Sequence, residues 1–291
     1  MRAGRSRRAR DRHASLRMKI HGLCLIKNEA DIVGYSLLEN ARWCDFIYVY
    51  DNGSTDGTME RVNELAKRCP QIIPFGTCTK PFSDSLRADV FNHFKSRVAP
   101  GDWWCRLDAD EIYVGDVRAF LDRLPRHLHV VWSIYIQFYL TELDLPRLEP
   151  FSEQPAFDVN RDNLPRYYRA DYAEPKFFRH RPGLRWNGGS WPDHVGLVAP
   201  DMLRHRHYQY RSPGQIEMRL RTRREAAAQG WAHFPHSLTH GWRDKIERSE
   251  KLHLDTGDDR YVIEDTGLPR HLESGWHRAV KRCMHGLGVW P

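Results

Sequence analysis

The chain has 291 residues, 41% of them hydrophobic and 29% charged, with a formal net charge of +7. That length suffices for one large α/β domain or a domain with an appendage, and no apolar run approaches the ~20 residues of a membrane span. The six cysteines, at 24, 44, 69, 78, 105 and 283, form no Cys-x-x-Cys pair and no signal-peptide core is present. Structural zinc and a disulfide scaffold are therefore not expected, and the reading is a reduced, cytoplasmic protein.

The positive charge is local. Residues 1–17 hold seven arginines and one aspartate, a balance of +6 that leaves +1 for everything from Met18 onward. So polar a leader is expected to be disordered. It reads either as a basic arm for anionic lipid or RNA, giving a peripheral contact at the inner face of the membrane, or as an extension outside the native chain. The second is preferred, because Met18 stands at the head of the first strand.

Lys19 to Ile26 is a short apolar strand, followed by Lys27-Asn28-Glu29-Ala30-Asp31 with a capping Asn and acids for a first helical turn. Ile32, Val33, Leu37 and Leu38 recur at helical spacing. Phe46 to Tyr50 has no polar alternation, as expected of a strand covered on both faces in a parallel sheet. It runs into the polar octet Asp51-Asn52-Gly53-Ser54-Thr55-Asp56-Gly57-Thr58, where Asp56 is placed to cap a helix presenting Met59, Val62, Leu65 and Ala66. Gln71 to Phe75 is a further strand. Asp84 to Val98, with Arg87 in its first turn and Leu86, Val90, Phe94 and Val98 along one face, is a helix stopped by Pro100-Gly101.

Trp103 to Leu107 is the fourth strand, and it ends in Asp108-Ala109-Asp110-Glu111. Three carboxylates within four residues repel one another unless a cation or solvated donors neutralise them. Asp108 and Asp110 would share a face if the strand continued, and their hard oxygens suit Mg²⁺ or Mn²⁺. Alone, such a cluster is a solvated acidic turn. The β-α-β-α-β-α-β order, however, argues for a parallel, helix-covered sheet, whose ligands bind beyond the carboxyl ends of the strands. Asn28, Asp51 and Asp108 all fall there. Neither a Gly-x-Gly-x-x-Gly after the first strand nor a Walker A loop is present, which argues against a dinucleotide site or a P-loop.

With Cys24-Leu25-Ile26-Lys27-Asn28-Glu29, the Asp51–Thr58 octet and Leu107-Asp108-Ala109-Asp110-Glu111 in this order, residues 19–125 resemble the family 2 glycosyltransferases. The second half is similar to a subgroup of bacterial members through His205-Arg206-His207-Tyr208-Gln209-Tyr210-Arg211-Ser212-Pro213. The resemblance implies an α/β fold of GT-A type, an open and mostly parallel sheet flanked by helices, with an irregular and helical C-terminal part. It divides the chain into a nucleotide-sugar-binding half at 18–125, an acceptor-side half at 126–229 and a helical extension at 230–291. It implies inverting transfer of a sugar from a nucleotide diphosphate to a glycan or lipid-linked acceptor, with Mn²⁺ or Mg²⁺ as cofactor, in surface polysaccharide or lipopolysaccharide assembly. Asp51 would meet the nucleotide base, Asp108 the ribose or sugar and the metal, and Asp110 the metal. Glu111, Lys27, Asn28, Glu29, Arg87 and Arg211 would complete the donor side.

In the second half, Val130 to Leu140 reads as a strand, and residues 139–180, rich in Pro, Arg and aromatics, as irregular structure over the rim. Attack by an acceptor hydroxyl needs a carboxylate within hydrogen-bond reach. Asp193 is the leading base and His194 its substitute, both in the Arg185–His194 loop, while Asp171 and Glu174 remain alternatives. Trp186 and Trp191 serve either as sugar platforms or as core. Leu203 to Tyr210 reads as a strand with His205 and His207 on one face. His207 is the preferred further metal ligand and His205 the alternative. Pro213 opens a helix whose Arg219, Arg221, Arg223 and Arg224 make it basic. Two other classes compete. A nucleotidyltransferase would need a basic, Gly-rich loop after the first strand, which Lys27-Asn28-Glu29 does not supply. A nucleic-acid-binding protein would use the leader, and no nucleic-acid partner is expected.

Overall fold

The protein is described from a computed structural model covering residues 17–147, 161–228 and 241–291. The basic leader up to residue 16 lies outside the described residues, as does the middle of the 139–180 stretch. Strand β1 (Ile20–Ile26) is buried along its whole length, as a continuous apolar run between two helical layers requires. It pairs in parallel with β2 (Phe46–Asp51) on one side and β4 (Trp103–Asp108) on the other, and β2 pairs in parallel with β3 (Ile72–Thr77). The crossovers carry helices α1 (Val33–Asn40), α2 (Thr58–Arg68) and α3 (Arg87–Phe94). Side chains of β1 alternate between two cores, with Ile20, Cys24 and Ile26 in one and Leu23 and Leu25 in the other.

After β4 the chain turns at Ala109–Asp110 into β5 (Glu111–Val114), which does not pair with β4. The remaining strands are β6 (Val130–Tyr139), β7 (Tyr167–Arg179) and β8 (Leu203–His207), and the sheet order is β3-β2-β1-β4-β7-β6-β8-β5. A two-residue β9 (His253–Leu254) adds to β7. The β4–β7, β7–β6 and β5–β8 pairings are antiparallel, while β6–β8 is parallel. A parallel half and a mixed half therefore meet at β4–β7, in the expected open α/β sheet of GT-A type. Because β4 and β5 follow each other directly yet sit four places apart in the order, the sheet curls and the Asp108–Glu111 corner spans its concave side. Ser36 Oγ and Asn40 Nδ2 of α1 pin that corner by donating to the Glu111 carbonyl at 3.1 and 2.8 Å.

Several segments differ from the expectations. Residues 167–179 form the longest strand and not irregular structure. Its apolar alternation is hidden by Pro175 and by register shifts against β6 at Val131/Trp132 and Tyr135/Gln137. The helix expected over 84–98 is α3 flanked by two 3-10 turns. The strand expected to reach Tyr210 ends at His207, where the chain leaves the sheet. Later come α4 (Val117–Asp122), α5 (Pro213–Ala228) and α6 (Gly275–Gly286). No helix among the described residues is long and apolar enough to cross a membrane.

Leu107 is fully buried in the core beneath the corner. Leu107→Ala is expected to cost roughly 2–5 kcal/mol, read as a lower urea midpoint with an unchanged slope.

Candidate active site

A cleft of about 450 Å³ opens at the carboxyl ends of the parallel strands, bounded by α5 from the second half. Its first wall is made by the loops after β1 and β2, which are bonded to each other. Asn28 adopts φ +54°, a left-handed conformation that Asn tolerates. Its Oδ1 accepts from Thr55 N at 2.8 Å, and its own N–H donates to Ser54 Oγ at 2.9 Å. Lys27 Nζ donates to the Asn52 carbonyl at 2.9 Å. Lys27, Asn28 and Glu29 line the cleft. Asp51 does not. It is buried, and its carboxylate accepts from the N–H groups of Gly53 and Ser54 and from Ser54 Oγ at 2.5–3.2 Å. An Asp closing its own turn in this way shapes the loop and leaves Asn52, Gly53 and Thr55 to face a ligand.

The acidic corner forms the floor, and its charges are matched from below. Lys176 of β7 is fully buried, with Nζ 2.6 Å from Glu111 Oε1, 2.9 Å from Glu174 Oε1 and 3.3 Å from Asp108 Oδ2. Burial alone would lower its pKa. The surrounding carboxylates outweigh that and hold the ammonium charged. Arg87, also buried, pairs with Asp108 and Asp84 and donates to the Leu107 carbonyl at 3.3 Å. Glu111 is sealed from the cleft between Lys176 and His205, whose Nε2 lies 3.3 Å away. Arg87 and Glu111 therefore sit behind the cleft and do not line it.

Because β4 stops at Asp108, Asp110 takes different neighbours from Asp108. It is buried beside His207 Nε2 at 3.6 Å, Arg219 Nη1 at 3.2 Å and Arg211 Nη1 at 4.0 Å. Burial disfavours its charge, but His207, Arg219 and Arg211 hold it well below the usual carboxylate range. His207 Nδ1 lies 2.6 Å from Gln137 Oε1, an oxygen that can only accept, so Nδ1 carries a proton and Nε2 is the ring nitrogen that faces Asp110. His205 hydrogen-bonds Ser133 Oγ at 2.7 Å, is fully buried and does not reach the cleft. Arg211 is likewise internal, donating twice to Asp31 at 2.7 and 2.8 Å and once to Glu29 at 2.6 Å. Arg219 faces the cleft and links Glu29 to Asp110. Burial pushes the Glu29 carboxyl up to about 7 against the opposing pull of Arg211.

The structure does not bring Asp193 or His194 to this cleft. Both are exposed; His194 stacks on Trp290 at 4.3 Å, and the Asp193 N–H donates to the Arg185 carbonyl. The reason lies in the turn before them, where Trp186 is buried as core and donates to the Gly189 carbonyl at 2.6 Å, carrying the loop away from the rim. Asp171 lies against Gly267 and lines neither cavity. Glu174 does line the cleft, and with Asp84 and Arg106 it forms the wall shared with a second hollow of about 320 Å³ that contains Trp132, Tyr172 and Trp191. Arg106 pairs with Asp84 at 3.1 Å. Lys176, Asp84, Arg106 and Gln137 were not anticipated from sequence. For Lys176 the available signal was a cation set directly before Phe177-Phe178. Among the described residues no group of three or more His, Cys, Asp or Glu is placed so that it could by itself hold a metal ion.

No family model matches the chain, and no curated protein matches its sequence. Solved structures do. The mannosyltransferase PcManGT from Pyrobaculum calidifontis, in complex with GDP-Man and Mn²⁺, aligns over 77% of this chain and 67% of its own at 15% identity and a TM-score of 0.40. TarS 1–349 of S. aureus, in complex with UDP, aligns over 47% and 39% at 18% identity and a TM-score of 0.29. A Bacillus anthracis protein assigned as a glucose-1-phosphate thymidylyltransferase, in complex with sucrose, aligns over 42% and 59% at 10% identity and a TM-score of 0.30.

Lys176→Met removes the cation from three carboxylates and is expected to destabilise the fold by about 3–5 kcal/mol, measured by urea unfolding at pH 7. Burial raises the Glu174 pKa, but Lys176 and Arg106 outweigh it and bring the carboxyl from 4.5 down to about 2. Its contribution to stability is therefore full above its ordinary value and lost as pH falls toward 2. The variant's deficit should accordingly narrow between pH 5 and pH 2.5, estimated as about the span of that titration.

Proposed function

We propose that the chain is a metal-dependent, inverting glycosyltransferase of the family 2 kind. It moves a sugar from a nucleotide diphosphate to an acceptor hydroxyl in surface polysaccharide or lipopolysaccharide assembly. The observation that supports it best is the pairing of opposite charges across one cleft at the carboxyl rim. Asp108 and Asp110 lie on its floor, and Lys27, Arg219 and Arg223 are among its lining residues. A nucleotide diphosphate with a divalent ion matches both surfaces at once, the ion meeting the carboxylates and the phosphate oxygens the cations.

The donor set fits such an ion. Asp110 would supply a carboxylate, and His207, its Nδ1–H held by Gln137, would supply an imidazole through Nε2 once an ion takes the place of the Nε2 proton. Bound there, Mn²⁺ or Mg²⁺ would act as a Lewis acid for the charge that develops on the departing diphosphate. Asp108, already paired with Arg87 and Lys176, would accept from a ribose or sugar hydroxyl through its exposed edge. Asn52, Gly53 and Thr55 would take the place first expected of Asp51 in receiving the nucleoside. Of the carboxylates considered as base, Glu174 is the one in the cleft. Ionised but made less basic by Lys176 and Arg106, it would orient the acceptor hydroxyl by a hydrogen bond and take its proton only once the forming glycosidic bond has made that hydroxyl strongly acidic. A nucleotidyltransferase is less well supported, because the loop after β1 is bonded tightly to Ser54 and Thr55.

Asp110→Asn keeps the side-chain shape and removes the charge. Titration calorimetry with GDP and UDP is expected to show Mn²⁺-dependent binding weakened by about tenfold or more, with metal-free binding little changed. Equal binding by the parent and the variant at saturating Mn²⁺ would contradict the proposed metal role.

A further inference from the structure

The last 17 residues, Gly275 to Pro291, contain no aspartate or glutamate and carry Arg278, Lys281 and Arg282. Trp276, Leu287 and Val289 are 75%, 70% and 59% exposed, the three most exposed large apolar side chains among the described residues. Along α6 and its C-cap, Trp276, Val280, Cys283 and Leu287 follow the i, i+4, i+7, i+11 spacing that puts them on one stripe. The opposite side of the helix holds it to the protein. Lys281 Nζ donates to the Gly196 carbonyl at 3.0 Å and pairs with Glu273, and His285 Nδ1 lies 3.3 Å from Arg181 Nη1. The helix is thus docked by its polar face, and its apolar face points outward.

Trp276, Cys283 and Leu287 meet water along one side of the helix. A stripe of twelve residues is ~18 Å long and roughly 10 Å wide, giving about 200 Å², well short of the ~800 Å² per partner of a stable dimer. The area and shape instead match a helix lying flat in a lipid interface, where tryptophan and flanking arginine are favoured. Trp276 stands at one end of the stripe and Leu287 and Val289 at the other, and no acid intervenes. We infer that α6 and the residues after it dock this chain on an anionic lipid bilayer, with Trp276, Cys283 and Leu287 entering the interface and the exposed Arg282 meeting the headgroups.

The full chain is expected to sediment with vesicles containing phosphatidylglycerol and not with pure phosphatidylcholine, the binding weakening with salt. Cys283 is the one exposed cysteine, so an environment-sensitive dye placed there should shift to the blue on binding. Trp276→Ser with Leu287→Ser should lower partitioning by roughly tenfold or more without changing the melting temperature, since both side chains are exposed. Arg282→Glu should lower it on anionic vesicles, whereas replacing the arginines before Met18 by serine should leave most of it. Three results would overturn the inference. These are unchanged partitioning in the Trp276/Leu287 variant, partitioning lost only with the leader arginines, or a concentration-dependent dimer abolished by Trp276→Ser, which would assign the stripe to a second copy.

Discussion

The interaction on which the site depends is the buried ammonium of Lys176 among three carboxylates. Asp108, Glu111 and Glu174 come from three strands, β4, β5 and β7, drawn from both the parallel and the mixed half, and one cation with no exposed surface holds them together. Isolated in a low-dielectric interior, each charge would carry a desolvation cost of several kcal/mol. Together they offset one another. The arrangement lets an acidic floor exist in the absence of ligand, because the inner oxygens are satisfied by Lys176 and Arg87 while Asp108 and Asp110 still border the cleft.

A second network, Arg211 and Arg219 with Glu29, Asp31 and Asp110, ties the start of α5 to the loop after β1. Arg211, expected on the donor side, is internal to this network. Arg211 is a clamp that orients Asp110 and Glu29, and Arg219, one helical segment later, is the guanidinium that faces the cleft.

The parallel half could be read from sequence because each of its strands is a short, doubly buried apolar run ending in polar turn residues, a pattern set by local chemistry. The position of Asp108 and Asp110 at the rim followed from it. The partners of those carboxylates did not, since Lys176 and His207 reach them through the antiparallel pairing of β7 with β4 and β8 with β5 and Arg219 from α5, and β7 itself is obscured by Pro175 and its register shifts against β6. Asp51 illustrates a different limit, as the same loop sequence serves an Asp that binds a ligand and one that binds its own backbone. Asp193 was favoured by its position in the chain, which the buried Trp186 turn overrides.

The separation of β4 from β5 in the sheet also bears on how the chain assembles. Glu111 finds its register partner at His207, almost a hundred residues downstream, and β4 waits for Phe177 and Phe178 to cover its free edge. During synthesis the nascent first half would emerge with that edge bare, Asp108 already paired with Arg87 but Glu111 without Lys176 and His205. Completion of the pocket is postponed until the ribosome has delivered the later strands.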